Sequence, residues 1–481
     1  MIRPADRRVA VLGAGPAGLA AAEMLSRHGV RVDVLELQDT VGGLCVTHEY
    51  QGFRFDLGGH RWFTKNRELQ RWFLDLMQGE LVTVQRRSRI YFNRRYFNYP
   101  ISLSNVLENA GWWTSLKVVW SYAAAAAADL MRRRPPATMK EMYCAQFGAQ
   151  LYEMFFRRYS EKVWGRPCEL LSPDWVAQRS KGLSILTAVK DALTQRHDVV
   201  SLGDQFVYPR AGYQRICVRM AEEVTRRGHR VRLEAPVKAV SFRGPHDLVV
   251  HYETQGARRA LECTDVVSTL PLSHLVAMLE PPGELEVQAL ARALEFRDLI
   301  TVVVLIDKPR VSDDTWIYIH DDSILFARVH EPKNWSAALV PDPRLTSLVC
   351  ECFCSCGDPI WNLGDDQLRA RVVADLSERL GFITPAEVIG TRVIRTRYAY
   401  PVYDLEYRGK LVRIYRFLAR HPGLHIVGRG GTFRYNNADH SIEMGQRLAR
   451  RLLGEDQDPL RVNIETEYLE EIRGERVGVQ R

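Results

Sequence analysis

The chain has 481 residues, which exceeds the ~100–200 residues of one ordinary domain and predicts two or three packed units. Hydrophobic residues make up 46% and charged residues 26%, a balance that argues against disordered, collagenous or fibrous proteins. The formal charge of +8 favours anionic ligands or surfaces, but 66 basic and 58 acidic residues are spread too diffusely to indicate nucleic acid.

The first motif of the chain joins a short strand to a glycine-rich turn. The β-branched run from Arg8 to Leu12 leads into Gly13-Ala14-Gly15-Pro16-Ala17-Gly18. A small-residue helix is predicted from Leu19 to His28, and a second strand is predicted from Val30 to Leu35, just before Glu36. This order of strand, G-x-G-x-x-G, helix, strand and acid is typical of dinucleotide-binding folds.

Each part of this motif has a physical role. Gly13 permits the tight turn, Gly15 lets a pyrophosphate approach the backbone, and Gly18 lets the helix pack against the strand. The helix N-terminus offers free N–H groups to phosphates. Glu36, 18 residues after Gly18, is placed to accept hydrogen bonds from a ribose hydroxyl. The glycines alone are weak evidence, but in this strand–helix–strand context they predict a dinucleotide site.

Further glycine-rich segments indicate which dinucleotide binds. Gln38–Leu44 contains the pair Gly42-Gly43, and His425–Gly431 reads as a strand entering a glycine turn before a helix predicted from Ser441 to Leu453. Both segments resemble flavoproteins of the amine-oxidase and glutathione-reductase type, and this resemblance implies FAD rather than NAD. The cofactor-binding residues that the resemblance implies, here and in the segments described below, are Gly13, Gly15, Ala17, Gly18, Glu36, Gly42, Gly43, Leu44, Gly59, Val237, Gly428, Arg429, Asn437 and Ser441.

The middle of the chain, residues 101–200, is predicted to be helical because aromatic and apolar residues recur there at helical spacings. Its most apolar part, Val118–Met131, contains six consecutive alanines and is followed by three arginines. No apolar run reaches the ~18–20 residues that span a bilayer, so we expect no integral membrane segment. We interpret Val118–Met131 as a packed helix with a basic end, and the alternative is a membrane-surface role. The N-terminus, Met1–Arg8, lacks an apolar signal core, so a cytoplasmic location is expected.

Residues 290–400 are predicted to form alternating strands, including Leu299–Ile306, Thr315–Ile319 and Leu348–Phe353. Four of the nine cysteines alternate in Cys350–Cys356, which would place them on one face of a strand. Such a row cannot close a tetrahedral metal site by itself, and the segment has no C-x-x-C. We therefore expect small buried side chains here, no metal site and no disulfide framework.

Together these elements predict an α/β fold with a discontinuous Rossmann-type FAD-binding domain, a helical insertion and an antiparallel β-sheet domain for substrate. The predicted FAD-binding domain comprises residues 1–80, 200–280 and 420–465. A helical substrate-binding domain is expected over 101–200 and a mainly antiparallel domain over 285–415, with a peripheral tail at 466–481. The sequence does not indicate an oligomeric state.

Five separated blocks give a more specific resemblance, to the bacterial and fungal UDP-galactopyranose mutases. The blocks recur across most of the chain and are more specific than the cofactor motif. They are Gly58–Asn66, Leu151–Trp164, Trp175–Arg179, Trp316–Tyr318 with Phe326–Arg328, and Tyr398–Pro401 with Gly428–Arg429 and Thr432–Ser441.

The resemblance implies roles for individual residues. The catalytic set would be His60, which positions the flavin, and two arginines on the diphosphate, Arg179 and Arg328. Two rings four residues apart on one helix face would clamp the uracil, and one indole would lie near the sugar. The substrate-binding residues so implied are Phe155, Tyr159, Trp164, Tyr318, Tyr400 and Tyr435.

Each of these assignments has a structural alternative. Phe155 and Tyr159 could belong to an aromatic core stripe, and Arg179 could be a solvated helix arginine. Arg328 interrupts an apolar strand, where an unpaired charge is costly, so it needs either an anionic ligand or a buried acidic partner. Asn437 could serve only as a helix cap.

The resemblance implies interconversion of the pyranose and furanose forms of a UDP-sugar such as UDP-galactose, in polysaccharide biosynthesis. The family reacts through a covalent flavin N5–sugar adduct on reduced FAD, prepared by NAD(P)H or another donor. We find no dedicated carboxylate base in the sequence. The competing hypothesis is an FAD-dependent oxidoreductase on the same fold, similar to amine oxidases, desaturases or protoporphyrinogen oxidases, and a third is a catalytically idle FAD protein.

Overall fold

The structure, a computed structural model, describes residues 2–99, 112–131, 134–179 and 205–463. The side chains of residues 130, 178 and 179 are not part of this description.

A five-stranded sheet in which every pairing is parallel, here called the parallel sheet, lies at the centre of the glycine-rich half of the molecule. The side chains of its first strand alternate between two layers, as period 2 requires. Val9 and Val11 point into a helical layer, whereas Ala10 and Leu12 point toward a second sheet. In spatial order, the strands are Leu424–Ile426, Asp265–Ser268, Arg8–Leu12, Arg31–Leu35 and Arg230–Arg232.

Helices cover one face of the parallel sheet and a small sheet covers the other. The helical layer consists of Pro16–Arg27, Arg67–Leu76, Arg215–Arg226 and Ala438–Leu452. The opposite side sheet consists of Ala257–Cys263, Asp247–Thr254, Val237–Gly244 and Leu279–Glu280, in that spatial order. Three helices pack with the side sheet: Leu272–Ala277, Leu285–Arg292 and Tyr407–Leu418.

A seven-stranded sheet, here called the large sheet, forms the second half of the molecule. Its strand Phe296–Ile306 is almost wholly buried because both of its faces are covered. Ile300, Val302 and Val304 pack in a cluster with helix Asp365–Ala374, and Val303 packs in another with the hairpin Thr47–Asp56. The strands, in spatial order, are Val388–Pro401, Phe296–Ile306, Thr346–Cys354, Arg328–His330, Trp316–Ile319, Ser88–Phe92 and Arg95–Asn98.

The described part of the predicted helical region is helical. Its elements are Trp112–Leu130, Met139–Leu151, a π-helical turn Tyr152–Phe156, Arg157–Trp164 and Asp174–Arg179. Their inner faces join side chains of the large sheet, including Ile90, Phe353 and Ala399, in one core. None of the helices in the described ranges is both long enough and apolar enough to cross a bilayer.

The remaining elements are short. Thr47–Tyr50 and Phe53–Asp56 form a hairpin, and Leu81–Gln85 pairs antiparallel with the distant strand Gln205–Pro209. The π-helical turn Asp375–Arg379 extends helix Asp365–Ala374, and Gly428–Gly431 forms a single helical turn.

The fold class is confirmed, and the differences from prediction are local. The first helix begins at Pro16 rather than Leu19, and the last begins at Ala438 rather than Ser441. The last helix starts earlier because Asn437 takes the N-cap position and its carbonyl accepts a hydrogen bond from Ser441 N at 3.0 Å. The large sheet is antiparallel except where Trp316–Ile319 runs parallel to Ser88–Phe92, a strand that lies outside the range 285–415.

The cysteine-rich strand follows the prediction over three of its four cysteines. Cys350, Cys352 and Cys354 are buried on one face of strand Thr346–Cys354. Cys356 lies beyond the end of this strand and is exposed. No group of three or more metal-ligating side chains occurs among the described residues.

Candidate functional site

The two glycine-rich segments meet in the structure. A Cβ atom added to Gly43, whose φ is +55°, would lie 3.3 Å from Gly15 Cα. A Cβ atom on Gly18 would lie 2.2 Å from the carbonyl oxygen of Gly13, so only glycine fits where helix and strand approach. Gly42 N donates to Ala14 O at 2.9 Å, which fixes the second segment against the first. The result is a cradle of bare backbone at the start of helix Pro16–Arg27.

A buried carboxylate lies beside this cradle. Glu36 follows strand Arg31–Leu35 and accepts hydrogen bonds from Ala14 N at 2.7 Å and Gln38 N at 2.9 Å. Ala235 N donates to Glu36 O at 2.7 Å, which brings the start of strand Val237–Gly244 to the same edge. Val237, two residues after Ala235, therefore lies near Glu36 in the structure.

The carboxyl-terminal segment returns to the cradle. A Cβ atom on Gly428 would lie 2.9 Å from Ala17 Cβ, so the turn packs directly on the first helix. Arg429 donates from Nε and Nη2 to Asn436 O, at 2.8 and 2.6 Å, and from Nη1 to Ala399 O at 2.9 Å. Its guanidinium thus joins two backbone segments beside the predicted flavin.

Asn437 and Ser441 lie at the amino end of the last helix, which points toward the same region. Asn437 occupies the N-cap, and its backbone N–H donates to His440 Nδ1 at 3.3 Å. The capping role considered above is therefore present, and it is compatible with a cofactor contact because N-terminal amides of a helix remain available to a ligand. Ser441 is buried in the first turn.

The residues of this region fit a bound dinucleotide. The glycine cradle leaves room where a Cβ would collide with backbone, and the helix amides suit a pyrophosphate. The Glu36 carboxylate suits a ribose hydroxyl, and Leu44 lies in the short turn Gly43–Cys45 beside the cradle.

The histidine loop Gly58–His60 lies between the two halves of the molecule. A Cβ on Gly59 would lie 3.5 Å from the Trp335 ring, and the His60 ring stacks on Tyr213 with centroids 5.2 Å apart. His60 Nδ1 is buried and has no hydrogen-bond partner among the described residues. Burial, reinforced by the positive charge of Arg429, lowers the pKa of His60 to about 3, so the ring is neutral at physiological pH.

A second buried carboxylate lies near His60. Asp56 Oδ2 is 4.0 Å from His60 Nδ1 and accepts a hydrogen bond from the Tyr208 hydroxyl at 2.7 Å. Thr47 Oγ1 also donates to Asp56, at 2.6 Å. Burial raises the pKa of Asp56 to about 6 in spite of these hydrogen bonds, so this group changes charge near neutral pH.

The resemblance places five residues on the diphosphate: Arg179, Arg328, Tyr318, Tyr400 and Tyr435. The last four of them form a connected group. Arg328 Nη2 donates to the Tyr400 hydroxyl at 3.3 Å, and the Tyr400 and Tyr435 rings stack with centroids 5.6 Å apart. Tyr318 is opposite Arg328 in the strand pair of the large sheet. Tyr159 meets the Tyr318 ring edge-on at 5.6 Å.

Arg328 also has the buried acidic partner that was considered as the alternative. Its Nε donates to Glu351 Oε1 at 2.7 Å, and its Nη2 donates to Glu351 Oε2. Burial opposes the charge on Glu351, but the charge and hydrogen bonds of Arg328, together with those of His330, lower the pKa of Glu351. The pair is therefore ionised, and the Arg328 side chain keeps 17% of its surface exposed while that of Glu351 has none.

The remaining predicted substrate residues differ in their surroundings. Trp164 is buried, meets the Tyr435 ring at 6.5 Å, and has an indole N–H without a partner in the described part of the chain. Phe155 is only 1% exposed and packs against Phe92 and Phe97, as a core residue would. The fifth diphosphate residue, Arg179, ends helix Asp174–Arg179, and its side chain lies outside the described residues.

Sequence reasoning missed the two carboxylates. Glu351 is an acid within a strand of nine buried residues, the same signal that singled out Arg328. The alternating cysteines on the opposite face dominate the pattern of this strand, so the sequence does not mark Glu351 as a partner of Arg328. Asp56 is the last residue of the aromatic strand Phe53–Asp56 and has no comparable signal. The sequence showed no dedicated carboxylate base, and the structure adds two buried carboxylates, Asp56 beside His60 and Glu351 beside Arg328.

Comparison with known proteins shows the family of the chain. The sequence pattern of the family described as flavin containing amine oxidoreductase matches residues 16–453. The chain therefore belongs to this family, and the class is that of a flavoprotein enzyme.

Within this class, several proteins are similar to the chain. The UDP-galactopyranose mutase of Mycoplasma pneumoniae is 25% identical over 228 residues, which are 44% of this chain and 51% of that protein. All-trans-retinol 13,14-reductase of Danio rerio is 47% identical over 57 residues, only 12% of this chain and 9% of that protein. The chain thus covers from a tenth to about half of the length of these relatives.

Solved structures share the fold over most of its length. A structure of reduced UDP-galactopyranose mutase has a TM-score of 0.81 at 21% identity, and the match covers 93% of this chain and 94% of that one. Wild-type putrescine oxidase bound to putrescine has a TM-score of 0.65 at 19% identity, with 93% and 99% coverage. At these identities the likeness shows the fold alone.

Proposed function

We propose that the protein is an FAD-dependent mutase that interconverts the pyranose and furanose forms of a UDP-sugar similar to UDP-galactose. The observation that supports this most is the connected group of Arg328, Tyr318, Tyr400 and Tyr435, because a phosphate-binding set of this kind has no use in the oxidation of an apolar substrate. These four residues come from the large sheet and from the segment before the last helix, so they lie together only in the folded protein.

Arg328 would stabilise the diphosphate as it leaves. Glu351 occupies its Nε and Nη2, and the hydrogen bonds described for Arg328 do not involve Nη1, which we assign to a phosphate oxygen. The Tyr400 and Tyr435 hydroxyls would add neutral donors beside it. Donors that are already in position do not need to reorganise when charge develops in a transition state, and they stabilise that charge. Arg179 would contribute a second cation.

The sugar would lie between Trp164 and the histidine loop. The buried indole N–H of Trp164 needs an acceptor, and a sugar hydroxyl supplies one. A reduced flavin, when bound, supplies the nucleophile for the anomeric carbon and a group that exchanges protons. His60, which is neutral, would orient this region as a hydrogen-bonding group rather than as a cation.

Tyr159 would stack on the base. Its ring already stacks on His320 with centroids 4.6 Å apart, so a base would have to displace or extend this stack. Phe155 would have to move out of the core to serve as the opposite wall of a uracil clamp. Under this proposal the flavin belongs to the unit formed by 1–80, 200–280 and 420–465, and the substrate to 101–200 and 285–415.

The proposal also concerns the setting of the reaction. NAD(P)H or another donor would reduce the flavin, and the product would enter polysaccharide biosynthesis in the cytoplasm. All nine cysteines are free, which supports a reducing compartment.

The test compares the reduced wild-type protein with a variant that lacks the guanidinium of Arg328 and also lacks the negative charge that this guanidinium neutralises. Replacing Arg328 alone would leave Glu351 as a buried unpaired charge, at a cost of about 3–5 kcal/mol. We therefore choose the double variant Arg328→Gln/Glu351→Gln, and as a control Arg392→Gln, an exposed arginine on the same sheet. Dithionite-reduced proteins are incubated with UDP-galactose without oxygen, and UDP-galactofuranose is measured by chromatography.

We expect furanose from the wild type and from the control. The double variant should lose at least ~100-fold in rate while retaining its flavin absorbance, because loss of one transition-state donor typically costs that much. Absence of furanose from reduced wild-type protein, or an undiminished rate in the double variant, would refute the proposal.

A second candidate is an FAD-dependent oxidoreductase. It is favoured by the Arg328–Glu351 pair, whose formal charge is zero, and by the buried position of Phe155, since neither is specialised for a nucleotide. An oxidoreductase would be reduced by its substrate under argon and would consume oxygen in air. Bleaching of the oxidised flavin by amines or polyenes, together with no response to UDP-galactose, would establish this second function.

A further inference from the structure

The helix Trp112–Leu130 presents an apolar surface to solvent. Trp112, Trp113 and Trp120 are 69%, 74% and 77% exposed, and Leu116 and Val119 are exposed beside them. Residues four apart lie on one helix face, so Trp112, Leu116 and Trp120 form a continuous stripe. We call these five residues the tryptophan face.

The rest of this helix shows which side is turned inward. Val118 is buried, and Ser121 Oγ accepts a hydrogen bond from Gln150 N at 3.0 Å on helix Met139–Leu151. A Cβ on Gly148 would lie 2.9 Å from the Ser121 backbone, so the two helices are in direct contact there. The tryptophan face is therefore on the outer side of a helix that is already packed.

An outward face of this composition is unusual for a helix on a water-soluble surface, which normally carries its charges there. Lys117 and Asp129 are the only charged residues in the sequence of Trp112–Leu130. Exposed alanines at 123, 124 and 127 continue the apolar surface beyond Trp120. Contiguous exposed apolar surface of this kind marks a site of interaction.

The chemistry of the face distinguishes the kinds of partner. Indole has an apolar body and a polar N–H, and tryptophan accordingly concentrates at the boundary between lipid headgroups and acyl chains. Lys117 lies exposed among the three tryptophans, and the sequence continues after Met131 with three arginines, of which Arg134 is described and exposed. Cations beside an interfacial helix are attracted to anionic headgroups.

We propose that the tryptophan face is a docking surface for an anionic lipid bilayer, on which the helix lies parallel to the membrane plane. The indoles would enter the headgroup boundary, while Lys117 would meet lipid phosphates. This contact is peripheral, since no helix in the described ranges is suited to span the bilayer. It is independent of the proposed mutase activity and would hold equally for an oxidoreductase.

The experiment is vesicle flotation with the full-length, flavin-loaded protein. Vesicles of phosphatidylcholine with an equal amount of phosphatidylglycerol are compared with vesicles of phosphatidylcholine alone. The variants are Trp113→Gln/Trp120→Gln and Lys117→Gln. The control is Leu285→Gln, which removes an equally exposed apolar side chain, 81% exposed, from a different helix. Flavin absorbance and circular dichroism establish that each variant is folded.

We expect wild type and control to float with the anionic vesicles and to be released by high salt. The double tryptophan variant should lose at least ~10-fold in partition coefficient because its buried apolar area is removed. Lys117→Gln should lose about fivefold, as one basic residue near an anionic surface contributes on the order of 1 kcal/mol.

Two results would overturn the proposal. The first is that the wild type does not bind anionic vesicles, or that the tryptophan variant binds them as well as the wild type does. The second is wild-type protein that does not float but self-associates in light scattering, with the tryptophan variant monomeric. That outcome would assign the face to a second copy of the chain.

Discussion

Replacing Gly445 by alanine tests how closely the first and last helices of the chain approach each other. Gly445 lies in helix Ala438–Leu452, and a Cβ there would be 2.2 Å from Ala17 O and 3.0 Å from Ala21 N. Real Cβ atoms essentially never lie within 3.0 Å of such atoms, so the helices would have to separate. Overpacking of this kind costs about 3 kcal/mol at its upper end.

The intrinsic preference of alanine for helices acts in the opposite direction. Alanine is better than glycine in a helix interior by about 1 kcal/mol, so the expected net loss in the free energy of unfolding is about 2 kcal/mol. The matched control is Gly409→Ala in helix Tyr407–Leu418, where an added Cβ would meet nothing within 4 Å. This substitution should stabilise the protein by up to about 1 kcal/mol.

Urea unfolding followed by circular dichroism and by release of flavin fluorescence measures both variants. Because Ala17 lies in the first turn of the glycine cradle, Gly445→Ala should also weaken flavin binding, whereas Gly409→Ala should not. The reasoning fails if Gly445→Ala is as stable as the wild type or is stabilised like the control. In that case the two helices would be farther apart than described, and the cradle would not depend on the carboxyl-terminal helix.

Two further predictions concern groups near the predicted flavin site. The pKa of Asp56 rises from 3.8 in the unfolded chain to about 6 in the folded protein. Protonated Asp56 therefore stabilises the fold below pH 4, and this stabilisation is lost as the pH rises through 6. The free energy of unfolding should change by about 3 kcal/mol over this range. The lowered pKa of His60 changes stability with pH in the opposite direction, so the effect of Asp56 must be isolated. Unfolding curves of the wild type and of Asp56→Asn are therefore compared from pH 4 to 7, and the pH dependence of their free energies of unfolding should differ by about 3 kcal/mol. Arg429→Lys, which cannot keep all three backbone hydrogen bonds, should lose about 2–3 kcal/mol and bind flavin less tightly in a fluorescence titration. An unchanged flavin affinity would mean that Arg429 does not shape the site.

Local motifs predicted the cofactor half of the molecule well because its geometry is encoded in short segments. The glycines at 13, 15 and 18 act on their own neighbours, and the alternation of Val9 and Val11 with Ala10 and Leu12 defines both faces of the first strand. The direct contact of Gly43 with Gly15 was not predicted, although both glycines belong to turns after adjacent parallel strands.

Long-range pairing was harder to predict. The partner of Arg328 lies 23 residues away on a neighbouring strand, and only the sheet register places Glu351 opposite it. A strand pattern records that a charge is buried but not whether its partner is a side chain or a ligand. For the same reason the aromatic spacing of Phe155 and Tyr159 did not reveal that one ring lies in the core and the other beside Tyr318.

The strand order of the parallel sheet has a consequence for biosynthesis. Strand Arg8–Leu12 is the first strand of the sheet to leave the ribosome, yet one of the strands that it pairs with is Asp265–Ser268. The edge strand Leu424–Ile426 and the helix that ends at Leu452 are synthesised later still. At ~5–20 residues per second, the predicted flavin site lacks its last wall for roughly 20–90 s of translation. We therefore expect flavin capture to be a late event, and chains interrupted before the final helix should remain without cofactor and depend on chaperones.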